Sequence, residues 1–215
     1  MQKRVGEVRV RCEEFRVEQY WADPDLPMWT LAMSPPPMGA TVCPSASLLA
    51  SFLLQAPNWV AGKTVLELGA GTGFLSAVAL RGGARKVVAT DLDNGELLQL
   101  CRSNLSLERA DGEKTSWFVE ALDWENLQQL DALLDQFQFD LVVATDVMYE
   151  VEHMTLVWNV LERIALRHNV SVLIANATRS NADFFQTDFV QDNRVTLLQE
   201  ASCDGRQLGV YQVEI

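Results

Sequence analysis

The segment that most restricts the fold is Val65-Leu66-Glu67-Leu68-Gly69-Ala70-Gly71-Thr72-Gly73-Phe74-Leu75-Ser76. It begins as a short apolar run, which reads as a strand buried in a parallel sheet. Three glycines spaced two apart break the run, and an apolar helical segment resumes through Leu80. Strand, glycine turn and helix in that order leave bare backbone where a ligand can approach the end of a sheet. A dinucleotide fingerprint would put its third glycine at position 74, which is Phe74, so NAD-dependent oxidoreduction is disfavoured. The next strand-like run, Lys86 to Asp91, ends in a carboxylate that can accept hydrogen bonds from both ribose hydroxyls of a nucleoside. The competing reading makes Asp91 a cap for the helix that begins near Asn94.

Around this segment the chain alternates. Strands are expected at 64–68, 86–90, 116–121, 139–145 and 170–176, with helical stretches at 74–82, 94–108, 124–135 and 152–167. The last helix carries Val157, Val160, Leu161 and Ile164 on one face. Pro44 opens an earlier helix with a stripe of Leu48, Leu49, Phe52 and Leu53. Two further strand-like runs, Arg194 to Glu200 and Gln207 to Val213, flank the hairpin dipeptide Asp204-Gly205. The expected fold is α/β: a Rossmann-like, doubly wound, seven-stranded sheet with a C-terminal antiparallel hairpin. That ending suits a class I methyltransferase better than a dehydrogenase. One domain over 1–215 is expected, with a strand and proline-rich extension over 1–40 and a cofactor-binding core over 41–215. Within the extension, residues 5 to 21 read as exposed strands, and Asp23 to Gly39, with five prolines, as a loop or lid. Met28, Trp29, Leu31 and Met33 are expected to pack that loop on the body.

The chain carries a net charge of −12. Such a surface repels phosphate backbones and argues against nucleic-acid binding. It suits a protein partner with a basic segment, and solubility alone explains it equally well. No stretch is long and apolar enough to span a membrane, and the first twenty residues are charged throughout, so neither membrane insertion nor a signal peptide is expected. Cys12, Cys43, Cys101 and Cys203 are scattered, and there are two histidines, so free thiols and no metal are expected. A cytoplasmic or nuclear monomer is the matching expectation.

Ligands of such sheets bind at the carboxyl ends of the strands. Those ends supply Glu67, Gly69, Ala70, Gly71 and Gly73; then Asp91 and Leu92; then Asp123 and Trp124; and finally Thr145, Asp146 and Tyr149. Asp123 can accept a hydrogen bond from an adenine amino group while Trp124 covers the ring, or Asp123 can cap a helix and Trp124 fill the core. Asp146 and Tyr149 need a partner or a ligand. Capping of the 152–167 helix by Glu150 or Glu152 is the competing explanation for the polar residues there.

These motifs, with Ala40-Thr41-Val42-Cys43-Pro44-Ser45-Ala46 before the first core helix, resemble methyltransferase family 16, the seven-β-strand protein methyltransferases. The similarity covers about residues 38 to 180. The resemblance implies S-adenosylmethionine as cofactor and a protein side chain, chiefly lysine, as acceptor. It places Glu67 and the glycine loop, Ala70 included, at the methionine part and Asp91, with Leu92 beside it, at the ribose. Asp123, Trp124 and Thr145 then meet the adenine, while Asp146 and Tyr149 line the mouth where the acceptor enters. Three positions depart from the family pattern: Cys43 where Trp is usual, Thr145 where Ala is usual, and Glu125 where Gly is common. The Cys43 change motivates an alternative, a cofactor-binding or chaperone-like protein without catalysis. Transfer to arginine, histidine, an N-terminal amine or a small molecule is the other.

Overall fold

The computed structural model describes residues 2–10, 13–21, 39–107, 116–178 and 185–215. The expected proline-rich lid and the packing of Met28, Trp29, Leu31 and Met33 lie outside them. Strands β1 (Gln2–Val10) and β2 (Glu13–Trp21) pair antiparallel as a separate two-stranded sheet.

The core follows as α1 (Pro44–Gln55), β3 (Thr64–Leu68), α2 (Phe74–Arg81), β4 (Lys86–Asp91), α3 (Glu96–Leu107), β5 (Ser116–Ala121) and α4 (Leu127–Gln136). Then come β6 (Leu141–Thr145), α5 (Val151–Ala165), β7 (Ser171–Ala177), β8 (Val195–Cys203) and β9 (Arg206–Val213). These seven strands form one sheet in the order β5-β4-β3-β6-β7-β9-β8. The first five are parallel, and β9 runs antiparallel between β7 and β8. The C-terminal hairpin therefore does not simply extend the sheet. Its second strand inserts next to β7, and its first forms the edge.

All five residues of β3 are buried, as expected of a central parallel strand covered by helices on both faces. Period-two alternation divides them. Val65 joins a cluster with α1, α2 and α3, including Leu49, Val78 and Leu105. Leu66 and Leu68 join the opposite cluster with α4 and α5, including Leu134, Val157 and Leu161. Glu67 therefore points to the α1–α2–α3 face with Val65, which brings a carboxyl under the glycine turn. The same alternation puts Thr145 on the face of Leu141 and Val143, toward α1. No helix among the described residues is long and apolar enough to cross a membrane.

Candidate functional site

The chain grows outward from β3 through β4 to β5, then returns to place β6 on the other side of β3. Loops leaving β3 and β6 consequently diverge and open a crevice at the carboxyl edge. A cavity of about 460 Å³ occupies it, within the range of small-molecule sites. Every expected site residue lines this cavity except Gly73.

Gly69, Gly71 and Gly73 all adopt left-handed backbone, with φ of 67°, 55° and 76°. A Cβ on Gly69 would stand 2.9 Å from Val147 Cγ1, and one on Gly71 would stand 2.5 Å from the carbonyl oxygen of Gly39. The loop is thus squeezed between the chain after β6 and the segment before α1. Gly73 stands apart from the other two. Its missing Cβ would lie 2.7 Å from Cys101 Sγ, so it serves the close approach of α2 to α3 and lies outside the cavity.

Asp91 holds the loop in place. Its Oδ2 accepts from the Gly71 amide at 2.7 Å and its Oδ1 from the Leu92 amide at 2.8 Å. Burial raises its pKa and these two amides oppose the rise. Each oxygen still has a lone pair for a ligand. The alternative reading, a cap on α3, is not what forms: Asn94 Oδ1 accepts from the Leu97 amide at 2.7 Å. On the cavity floor Glu67 is 2% exposed and accepts from the Ser76 hydroxyl. Burial pushes its carboxyl up to about 8, with the Ser76 bonds opposing.

The turn after β5 places Asp123 and Trp124. Asn126 caps α4 by accepting from the Gln129 amide, so Asp123 does not. Asp123 Oδ1 instead accepts from the Glu125 amide at 3.0 Å, leaving the carboxylate exposed at the rim. The half-buried Trp124 ring meets His153 edge-on, with centroids 6.5 Å apart.

After β6, Asp146 takes left-handed backbone with φ 54°, which a non-glycine residue adopts at a cost of about 1–3 kcal/mol. Its amide donates to Ala175 O at 2.9 Å and its Oδ1 accepts from the Ala177 amide at 3.2 Å. These bonds to the end of β7 aim the carboxylate at the cavity mouth. Tyr149 packs against His153 with centroids 4.3 Å apart and ring planes tilted by 40°, and its hydroxyl lies 3.5 Å from His153 Nε2. The competing explanation, capping of α5 by the Glu150 side chain, is not what forms: Glu150 stands at the N-cap without a side-chain cap bond. Its carboxylate stands 3.5 Å from His153 Nδ1 instead.

Cys43 caps α1, its Sγ accepting from the Ala46 amide at 3.3 Å. Burial first, then the charge of Asp146, pushes its thiol up to about 12, while the Ala46 amide and the Thr145 side chain oppose the rise. Two departures from the family pattern therefore touch each other. The cavity wall at this point is a thiol–hydroxyl pair.

Sequence reasoning missed His153, Thr41, Val42 and Asn94, which also line the cavity. His153 had one usable signal. It stands one helical turn after Tyr149, a spacing that brings side chains together.

The fold is that of methyltransferases. An rRNA methyltransferase from T. thermophilus superposes with a TM-score of 0.63 at 20% identity, covering 99% of this chain and 50% of its own. A methyltransferase from Streptococcus mutans superposes with a TM-score of 0.59 at 14% identity, covering 97% of this chain and 55% of its own. Within that class the chain belongs to the lysine methyltransferase family, whose sequence profile matches residues 25–192. It is 32% identical over 123 residues to a protein N-terminal and lysine N-methyltransferase of Cryptococcus neoformans, covering 55% of this chain but 40% of that protein. To the zebrafish (Danio rerio) protein N-lysine methyltransferase METTL21A it is 29% identical, covering 81% of this chain and 77% of the relative. To the human electron transfer flavoprotein beta subunit lysine methyltransferase it is 28% identical, covering 80% and 60%.

Proposed function

We propose that this chain transfers the methyl group of S-adenosylmethionine to a lysine side chain of a protein. The single observation that carries the reading is the cavity itself. A bare glycine loop tied to Asp91 forms one end of it, and Asp146 and Tyr149 line the other. The residues suit the cofactor. Asp91 keeps acceptor capacity for ribose hydroxyls, Trp124 offers a ring face to a base, and Glu67 and Asp146 place carboxyl groups beside a cation. When bound, S-adenosylmethionine supplies a methyl group already activated on a sulfonium.

The chain's own residues then have three tasks. The glycine loop and Asp91 fix the donor end, and the strand ends hold the acceptor nitrogen in line, where effective concentration does most of the work. Asp146 receives the lysine as its ammonium, since a facing carboxylate favours the charged form. The rim favours a basic acceptor segment. Residues 91–96, 122–126 and 145–153 contain eight carboxylates and no lysine or arginine.

Two measurements test the reading. S-adenosylmethionine should bind in a calorimetric titration, and NAD should not. Asp91→Ala should weaken that binding roughly ten- to a hundred-fold, as expected for losing about 1.5–3 kcal/mol of charged hydrogen bonds. Labelled methyl from S-adenosylmethionine should then appear in lysate protein as methyllysine. Binding without transfer would favour the non-catalytic alternative. Label recovered in arginine or histidine would move the acceptor.

A further inference from the structure

His153 is the one imidazole at the cavity, and no role above employs it. Its neighbours are ordered along a line. Tyr149 packs against its ring at a 40° tilt and presents a hydroxyl 3.5 Å from Nε2. On the other side Nδ1 is buried and lies 3.5 Å from Glu150 Oε2 without a formed hydrogen bond. Trp124 closes the edge of the ring. The whole side chain keeps 26% exposure, so it reaches both the cavity and solvent.

An acceptor lysine arrives as an ammonium and must lose one proton before its nitrogen can attack. Asp146 favours the charged form. The proton needs another destination, and imidazole is the side chain suited to taking one up and releasing it near neutrality. We propose that His153 takes that proton through the hydroxyl of Tyr149. An ammonium N–H donates to the Tyr149 oxygen as the Tyr149 proton moves to His153 Nε2, and the freed nitrogen lone pair forms the new C–N bond as the methyl's bond to sulfur breaks, its electron pair staying on sulfur as a neutral thioether. Glu150 faces the resulting imidazolium at Nδ1, and its exposed carboxylate is the route by which a proton passes from there to water. The other titratable groups lining the cavity are Asp146 after β6, Asp123 and Glu125 beside Trp124, and Cys43, Glu67 and Asp91 farther along. None of them is cationic. Hydrogen bonds of this kind are often long before the reactants are bound.

The inference rests on the methyl-transfer reading, and its test separates the two. Receiving a proton at Nε2 requires neutral His153 to carry its hydrogen on Nδ1. Nitrogen-15 spectra can read this directly, because the chain has two histidines and His153→Phe identifies the signal by loss. The Nδ1-protonated form is expected, and Tyr149→Phe should weaken that preference. For transfer, labelled methyl entering lysate protein is followed at pH 7 and pH 9.5. His153→Phe keeps a packed ring, and His153→Gln serves should the Phe variant unfold. The folded variant should be about a hundredfold slower at pH 7. The deficit should shrink at pH 9.5, where more lysine arrives as free amine. An Nε2-protonated ring, a wild-type rate at pH 7, or the same deficit at both pH values would overturn the proposal while the methyl-transfer reading stands. No transfer by the wild-type chain would overturn both.

Discussion

Glu67 is a buried acid on a core strand, placed there by the period-two alternation that puts Val65 on the same face. Its carboxyl is pushed up to about 8 from an ordinary 4.5. The folded chain thus keeps a proton that the unfolded chain has released, so Glu67 makes stability fall as pH rises through that window. The difference in stability between wild type and Glu67→Gln should shift in favour of Gln by roughly a few kcal/mol between pH 4.5 and 8.5. Parallel pH curves would show that the carboxyl titrates normally. The cysteines give a second residue-scale expectation. Burial raises the pKa of both Cys43 and Cys101, and the thiolate is the species that reacts. Iodoacetamide at pH 8 should therefore label Cys203 well before either, read by peptide mass spectrometry. Early labelling of Cys43 would mean that its cap on α1 opens freely. At this scale the sequence revealed which carboxylates stand at strand ends. It hid what each one touches, because Gly71, Ser76 and Ala177 reach Asp91, Glu67 and Asp146 through tertiary contacts.

Elements were the most legible level, since apolar runs and helical stripes repeat their own periods over many residues. The expected strand at 139–145 starts two residues later, and the helix expected from 94 begins at Glu96. Caps were harder. Asp123 and Glu150 were read as possible capping residues, yet Asn126 caps α4 and Glu150 turns toward His153. A short polar side chain at a strand end can bond in several directions, and local spacing does not choose among them. Gly73 shows the same limit. It carries the ligand motif's spacing but performs a packing task between α2 and α3. Gly73→Ala adds left-handed strain to a collision with Cys101, whereas Gly62→Ala, with φ 73° and nothing within 4 Å, adds strain alone. The first should cost roughly 1–3 kcal/mol more than the second, measured by urea unfolding. Equal losses would show that α2 and α3 can separate at no cost.

Across the whole molecule, strand order is what assembles the site. The α/β alternation pointed to a doubly wound sheet. The insertion of β9 beside β7 depends on pairing between distant segments and could not be read locally. The reversal between β3 and β6 brings Asp91 and Asp146 to one cavity, though 55 positions separate them in the chain. Charge completes the arrangement. If the acceptor segment is cationic, as proposed, the net charge of −12 and the acids on three loops around the mouth should draw it in, and its capture should weaken as salt shortens the Debye length from about 10 Å at 0.1 M to about 3 Å at 1 M. The central claim is that one end of this cavity holds the donor and the other end receives a protein lysine. It is tested most directly by the rate of labelled-methyl transfer catalysed by Asp146→Asn at saturating S-adenosylmethionine. Transfer should fall about a hundredfold while cofactor affinity stays within about threefold of wild type. A wild-type rate, or a loss matched by equal loss of cofactor binding, would contradict this division of the cavity.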